Sequence, residues 1–225
     1  MKGNPYKAFT LVELMMSIAI MGIMSAILLF NYPDSNVKIK MVNFTQTIAL
    51  LLREAQIKGS AVSSGAGQYA GYGVYFNRAS SSQVVLFADE TIPGNYKNGI
   101  LIGDGLFATS TPNNEIKSIT TLPTGYYVSK ICVTSGNTQY CNTDTNPEID
   151  TLTISFIRPN QTPIITVNDN PIDTLVTVLG SVPIPLPYSK ACIELSSPKA
   201  PTPGHIRSIN IEGVGYISTK VSSCQ

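Results

Sequence analysis

A long apolar segment stands near the start of the chain. Between Phe9 and Phe30 the only ionisable side chain is that of Glu13, and the other residues are mostly aliphatic, methionine or small. A helix over these residues would be about 33 Å long, and the hydrocarbon core of a bilayer is about 30 Å thick. The pattern therefore predicts a hydrophobic transmembrane helix over residues 9–32.

A second helical pattern follows the apolar segment. After a predicted break at residues 31–33, Asp34 and Ser35 offer capping oxygens. Apolar residues then recur three or four positions apart, with polar and basic residues between them, which is typical of an amphipathic helix. The apolar positions are Met41, Phe44, Ile48, Leu51, Leu52 and Ala55. We expect an amphipathic continuation of the helix over residues 33–59, which ends at Gly59 and packs its apolar stripe against the rest of the chain.

Beyond Gly59 the helical period gives way to alternating or short apolar runs, which indicate β-strands. The candidate strands are Tyr72–Phe76, Gln83–Ala88, Ile116–Leu122, Tyr126–Val133, Leu152–Ile157, Ile164–Val167, Leu175–Leu179, Ile193–Leu195 and Ile206–Ser218. Two proline-rich stretches, residues 182–187 and 198–203, are predicted to be loops or extended straps, because proline cannot donate to a strand ladder. The sequence therefore predicts an α+β fold. A long N-terminal helix, transmembrane in its first half, packs on an antiparallel β-rich globular head over residues 60–225.

Composition excludes several classes of protein. The chain has 225 residues, of which 43% are hydrophobic and 13% charged, so it is too apolar to be a disordered, solvating tail. Its 15 Lys and Arg residues nearly balance 14 Asp and Glu residues, so the bulk charge gives no reason to expect nucleic acid as a partner. Any partner must be recognised locally.

Candidate catalytic chemistry is sparse. A single histidine, His205, leaves little room for a histidine-based catalytic site or a zinc site. Two Ser-x-x-Lys pairs and a glycine-rich stretch at residues 65–70 match catalytic or dinucleotide-binding patterns, but they lack the accompanying motif or βαβ context. Acidic residues between Asp144 and Asp150 offer oxygens that calcium could use, although a solvated loop is favoured there. We therefore predict that the chain is not an enzyme and holds no cofactor or metal.

The flanks of the apolar segment predict its orientation. Lys2 and Lys7 precede it, and a short basic flank favours a cytoplasmic N-terminus with the rest of the chain exported. A cleaved secretory signal peptide is the alternative. The segment is longer than an ordinary signal core of about 7 to 15 residues, carries an acid near its start and lacks a small-residue cleavage site, so we expect it to stay on the protein. A lone carboxylate in a membrane needs a cationic partner, and nothing within the helix supplies one for Glu13.

The residues around Glu13 resemble a known processing site. Residues 7–15, KAFTLVELM, are similar to the prepilin peptidase recognition site of type IV pilins and type II secretion pseudopilins. In that family a membrane aspartyl protease cuts on the cytoplasmic side, before the phenylalanine, and methylates the new amine. The resemblance implies a cytoplasmic leader peptide over residues 1–8, cleavage between Ala8 and Phe9, and N-methylation of Phe9. It also implies that Glu13 pairs with the Phe9 amine of a neighbouring subunit during assembly. Ala8 stands where the family usually has glycine.

A longer pattern resembles one branch of this family. A long helix, then Gly-Tyr-Gly-Val-Tyr-Phe, then the run at residues 206–211 with glycines soon after, is similar to the H-type minor pseudopilins and related minor pilins. The resemblance implies that the head is a β-sandwich-like pair of antiparallel sheets. The implied function is that of a minor pilin or pseudopilin, a structural subunit of a type IV pilus-like or type II secretion filament. Its expected partners are prepilin peptidase, other pilin or pseudopilin subunits and the bacterial inner membrane, with the head periplasmic or extracellular.

A DNA-binding minor pilin for DNA uptake is the alternative function. Four basic residues fall in the C-terminal quarter: Lys190, Lys199, Arg207 and Lys220. Removing Lys2 and Lys7 from the 15 basic residues, and Glu13 from the 14 acidic ones, leaves 13 of each sign in the rest of the chain. A neutral head lacks the positive field that phosphate contacts use, so this alternative needs the basic side chains to cluster in three dimensions. A third alternative, a signal-anchored enzyme, has no catalytic constellation to support it.

All four cysteines lie in the part expected to be exported, where disulfides persist. Three complete pairings are possible. We favour Cys132 with Cys141, because the residues between them read as a hairpin loop, and Cys192 with Cys224, which would staple the chain end. The second pair resembles the C-terminal disulfide clasp of many pilins. Four buried thiols are the alternative, and zinc binding is disfavoured because no Cys-x-x-Cys occurs.

Overall fold

A computed structural model describes most of the chain. It covers residues 9–61, 69–90, 96–97, 100–101, 116–142, 149–157, 162–168, 188–202 and 204–224. The chain divides into two compact units, residues 1–40 and 41–225. The predicted strand at Leu175–Leu179 and the proline-rich stretch at residues 182–187 lie outside the described residues.

Helix α1 runs from Leu11 to Ala61, 51 residues in all. The prediction of a break at residues 31–33 is wrong, because the backbone is helical there. A proline removes one hydrogen bond from a helix, and the adjacent turns keep theirs. The helix also ends two residues beyond Gly59. In its N-terminal part it is long and apolar enough to cross a membrane.

The head of the chain is built from antiparallel strands, twelve of them within the described residues. The strands are β1 (Tyr69–Asn77), β2 (Gln83–Glu90), β3 (Tyr96–Lys97), β4 (Ile100–Leu101), β5 (Ile116–Thr121), β6 (Tyr127–Ser135), β7 (Thr138–Cys141), β8 (Thr151–Ile157), β9 (Ile164–Val167), β10 (Lys190–Ser196), β11 (Ile206–Glu212) and β12 (Ile217–Lys220). A first sheet has the order β5-β2-β1-β8-β9, and a second sheet has the order β12-β11-β10-β6-β7. Strands β3 and β4 pair with each other as a separate two-stranded sheet. The predicted α+β fold, with antiparallel sheets beside a long helix, is confirmed.

One predicted strand is wrong in its extent. The run Ile206–Ser218 is not a single strand but the hairpin of β11 and β12, with a turn at residues 213–216. Gly215 adopts a φ of 86°, a left-handed conformation that glycine reaches without steric cost. The turn then packs against the helix, where Gln56 Nε2 donates to the Gly215 carbonyl oxygen at 3.1 Å.

The apolar stripe of the second helical segment forms the core, as predicted. Met41, Ile48, Leu52 and Ala55 are buried together with large side chains of the sheets, among them Phe76, Leu152, Ile154, Phe156 and Ile193. Phe44 stacks at a tilt on Tyr126, with ring centroids 5.4 Å apart. Burial raises the pKa of Tyr126 above its ordinary value. The hydrophobic effect on this stripe holds the helix to the head.

Gly59→Ala is expected to destabilise the head by about 3 kcal/mol, at the upper end of the range for forcing an extra methyl group into a packed interior. The helix passes so close to β8 that a Cβ at Gly59 would overlap the carbonyl oxygen of Phe156 and lie 2.9 Å from its Cβ. Strand β8 is held between β1 and β9 and cannot move away easily. Thermal or urea unfolding of the full chain in detergent measures the loss.

Gly22→Ala is the matched control for this substitution. Apart from its chain neighbours and the backbone of its own helix, no atom lies within 4 Å of the position that its Cβ would take, so the unfolding midpoint of the head should not move. An unchanged midpoint for Gly59→Ala would contradict the close approach of helix and strand.

Candidate functional site

The predicted processing site lies at the very start of the described residues. Ala8 lies outside them. Phe9 and Thr10 precede the helix without regular secondary structure, and 78% of the Phe9 surface is exposed. Glu13 lies in the first turn of α1, where the partial positive charge of the helix N-terminus favours a carboxylate.

Glu13 makes hydrogen bonds that the sequence analysis did not predict. The Thr10 backbone N–H donates to Glu13 Oε2 at 3.4 Å, and the Thr10 hydroxyl donates to the same oxygen at 3.2 Å. In return, Thr10 Oγ1 accepts from the Glu13 backbone N–H at 3.3 Å. This reciprocal pattern is a capping box, and its signature, Thr-x-x-Glu, is visible in the sequence. In the part of the chain that the structure describes, no cationic side chain forms an ion pair with Glu13.

The helix that follows Glu13 presents apolar side chains on all its faces. Every residue from Leu11 to Leu29 is exposed, including large side chains such as Leu11, Met21 and Leu28 at 71–74% of their surface. A soluble monomer rarely exposes so much contiguous apolar surface. Such a surface is typical of a segment that interacts with a membrane or with another protein.

The four cysteines form two disulfides, with the pairing that the sequence analysis favours. Cys132 is bonded to Cys141, nine positions away, and Cys192 is bonded to Cys224, 32 positions away. No free cysteine remains, so the alternative of four buried thiols is wrong. The two disulfides pack against each other as one buried cluster in the second sheet.

Glu194 is a buried acid that the sequence analysis missed. Its side chain on β10 is 7% exposed, and its Oε1 accepts from Ser129 Oγ at 2.8 Å. Its Oε2 accepts from the hydroxyl of Ser223 and from the backbone N–H of Cys224. Glu194 thus binds the chain end next to the Cys192–Cys224 disulfide. No local sequence pattern around Glu194 predicts this role, because its hydrogen-bond partners lie far away in the sequence.

The basic residues of the C-terminal quarter do not share one surface. Side chains alternate between the two faces of a strand. Lys190 lies on the same face of β10 as Glu194. Ser208 is opposite Glu194, and Lys220 is opposite Ser208, so Lys220 lies on this face of the sheet too. Arg207, opposite Leu195, points to the other face. Glu212, opposite Lys190, further lowers the local positive charge. This arrangement does not favour the DNA-binding alternative.

The remaining candidates do not assemble a chemical site. His205 is buried, and its Nδ1 lies 3.0 Å from Ser197 Oγ, so it ties together the turn before β11. Residues 143–148 of the possible calcium loop lie outside the described residues. Asp150 forms an ion pair with Arg78, with 3.6 Å between Asp150 Oδ1 and Arg78 Nη1. Within the described ranges, no three His, Cys, Asp or Glu side chains are grouped so that they could hold a metal.

Comparison with known proteins identifies a family motif at the N-terminal end of the chain. Residues 3–29 match the family described as the prokaryotic N-terminal methylation motif. The matched residues include the predicted processing site and the first part of the exposed apolar helix.

Two similar relatives are fimbrial proteins of Neisseria meningitidis. The one from serogroup A, serotype 4A, is 35% identical over 115 residues, and the one from serogroup B is 34% identical over the same length. Each match covers 49% of this chain and 61% of the relative, so the chain spans about three fifths of the length of the relatives. No solved structure is significantly similar to the chain. The resemblance to H-type minor pseudopilins stays a prediction.

Proposed function

We propose that the chain is a minor pilin or pseudopilin, a structural subunit of a type IV pilus-like or type II secretion filament. The observation that carries the proposal is the methylation motif at residues 3–29, at the start of a helix whose residues from Leu11 to Leu29 are all exposed. A filament with a core of bundled helices would cover this surface. The subunit contributes packing and a head, and the chemistry performed on it belongs to the peptidase.

In this proposal the precursor is anchored in the inner membrane by residues 9–32, with the leader peptide 1–8 in the cytoplasm and the head exported. Prepilin peptidase cuts between Ala8 and Phe9 and methylates the Phe9 amine. Phe9 and Thr10 stand outside the helix, which supports access by a protease, since proteases bind extended rather than helical substrate. Residues 33–59 carry the helix into the head.

Glu13 is the proposed assembly residue. In the single chain its carboxylate is held by the Thr10 N–H and hydroxyl, so it is already oriented towards the start of the helix. The Phe9 amine of a neighbouring subunit supplies the missing cation. Attraction between opposite charges is strong in the low-dielectric interior of a helix bundle, and pairing leaves neither charge exposed to lipid.

Determination of the mature N-terminus by mass spectrometry tests the proposal. The full chain is expressed with and without a prepilin peptidase. We expect a methylated Phe9 start only when the peptidase is present. An uncut Met1 start in both cultures would mean that Ala8 defeats recognition and that the helix is only an anchor. A cut near Asn31 would instead identify a secreted β-protein, and either result would overturn the proposal.

A further inference from the structure

Three of the four cysteines stand side by side on neighbouring strands of the second sheet. Cys141 on β7 is directly opposite Cys132 on β6, and Cys132 is directly opposite Cys192 on β10. The middle cysteine therefore has two cysteine neighbours in register, one on each side. It is bonded to Cys141, while Cys192 is bonded to Cys224 near the end of the chain.

This placement makes a second pairing possible. Residues directly opposite on antiparallel strands have Cβ atoms about 4.5 to 5.5 Å apart, and a disulfide needs about 3.5 to 4.5 Å. Cys132 therefore lies near bonding distance of both neighbours. The competing pairing joins Cys132 to Cys192 and leaves Cys141 and Cys224 to each other. The backbone register does not by itself exclude it.

The contacts of Glu194 distinguish the two pairings. Glu194 follows Cys192 by two positions on β10 and so lies on the same face of the strand. Both of its oxygens are engaged: Oε1 accepts from Ser129, and Oε2 accepts from Ser223 and from the Cys224 backbone N–H at 3.2 Å. A carboxylate buried at this point holds the chain end where Cys224 meets Cys192.

A nearby lysine supports the same placement of the chain end. Lys130, opposite Glu194 on β6, donates from Nζ to the Cys224 carbonyl oxygen at 3.5 Å. The backbone N–H of Cys224 therefore donates to the Glu194 carboxylate, and its carbonyl oxygen accepts from the Lys130 side chain. The position of the last cysteine depends on these two side chains as well as on its disulfide.

We propose that Glu194 selects the disulfide pairing of the head. By docking residues 223–224 it presents Cys224 to Cys192 before Cys192 can exchange with the Cys132–Cys141 bond. Without docking, the Cys192 thiolate attacks Cys132 Sγ. The Cys132–Cys192 bond forms as the Cys132–Cys141 bond breaks, and Cys141 leaves as a thiolate that takes up a proton. No net oxidation occurs in that exchange. Glutathione disulfide then oxidises the remaining thiols, Cys141 and Cys224, to the second disulfide.

Oxidative refolding of the full chain in detergent tests the proposal. The reduced, denatured chain is reoxidised in a glutathione buffer, quenched by acid and alkylation, and digested without reduction. Trypsin cuts after Lys130, Lys190, Lys199 and Lys220. Native pairing gives a peptide of residues 131–190 with an internal disulfide, separate from the linked pair 191–199 and 221–225. Either of the other two pairings joins all three peptides. Chymotrypsin cleavage after Tyr140 then separates Cys132 from Cys141, so that mass spectrometry identifies and quantifies the form with the Cys132–Cys192 bond.

Glu194→Gln is expected to lower the ratio of native to competing pairing by about tenfold, the effect of losing a charge-assisted hydrogen bond. Ser223→Ala, which removes one donor and leaves the acid, should lower the ratio in the same direction by a smaller factor. Glu212→Gln removes the same charge from the neighbouring strand and should behave as the parent chain does. The digest counts peptides whether or not a variant folds. A ratio for Glu194→Gln equal to that of the parent would overturn the proposal.

Cys224→Ser tests the exchange step without changing Glu194. It leaves Cys192 without its partner, and we expect part of the chain to carry a Cys132–Cys192 bond with Cys141 free. Chymotrypsin cleavage after Tyr140 separates the two cysteines of the 131–190 peptide and so shows which of them is bonded to Cys192. If Cys192 alone is alkylated and the Cys132–Cys141 bond stays complete, the neighbouring cysteines do not exchange and the proposal fails.

Discussion

Glu13→Ala is expected to insert into the membrane and to be cut at Phe9, yet to fail to enter filaments. In the proposed assembly, the substitution leaves the Phe9 amine of the neighbouring subunit without a counter-charge in a low-dielectric bundle. Removing one partner of a buried ion pair costs about 3 to 5 kcal/mol, which lowers incorporation roughly a hundredfold or more at each contact. Co-expression with the parent chain, followed by shearing and quantitative mass spectrometry of the filaments, measures incorporation.

Two further variants separate the charge of Glu13 from its role in the helix cap. Glu13→Gln keeps a side chain able to close the capping box but loses the charge, and it should fail as Glu13→Ala does. Thr10→Val keeps the charge and removes the hydroxyl that bonds to Glu13. It should cost about 1 kcal/mol at the helix start, the usual cost of losing a cap, and still assemble.

The opposite pattern would contradict the assembly role. If Glu13→Gln assembled normally while Thr10→Val did not, the cap and not the ion pair would be the requirement. Normal incorporation of Glu13→Ala would remove any role for this side chain in assembly. Each variant must also show the mature Phe9 start. An uncut precursor would stay out of filaments because it was not processed, whatever the role of Glu13.

Removing the Cys192–Cys224 disulfide is expected to destabilise the head more than removing the Cys132–Cys141 disulfide. The first closes a loop of 32 positions and the second a loop of nine. The chain-entropy model assigns about 4 kcal/mol to the longer loop and about 2.5 kcal/mol to the shorter one. The variants are the double substitutions Cys192→Ser with Cys224→Ser and Cys132→Ser with Cys141→Ser, so no free thiol remains from the broken pair.

The free energies of unfolding of the two double variants are measured by urea unfolding of the full chain in detergent. Near-ultraviolet circular dichroism of the tyrosines monitors the transition. The parent chain under reducing conditions should be less stable than either double variant. If the Cys132–Cys141 variant lost more stability than the Cys192–Cys224 variant, loop length would not set the order. Packing of the sulfur atoms in their shared cluster would then be the larger contribution.

The long helix, its apolar first half and the amphipathic stripe of its second half follow from the sequence. So do most of the strands, because the period of apolar residues is a local property of the chain. The stripe of Met41, Ile48 and Leu52 is an example, since spacing alone marks these residues as the buried face. The capping box at Thr10 and Glu13 was not predicted, but its Thr-x-x-Glu pattern is visible in the sequence, since both partners lie within one helical turn.

Only the tertiary structure decided the roles that depend on residues far apart in the sequence. Gly59 reads as a helix stop, but its importance comes from the carbonyl group of Phe156, which belongs to a strand almost a hundred positions later. The split of residues 206–218 into two strands became visible only when their pairing was known.

The neighbouring cysteines and the burial of Glu194 depend on the order β7-β6-β10 in the second sheet, which local periodicity does not encode. Periodicity shows which face of an element is buried. It does not show which other element covers that face, because that choice is made by the packing of the whole chain.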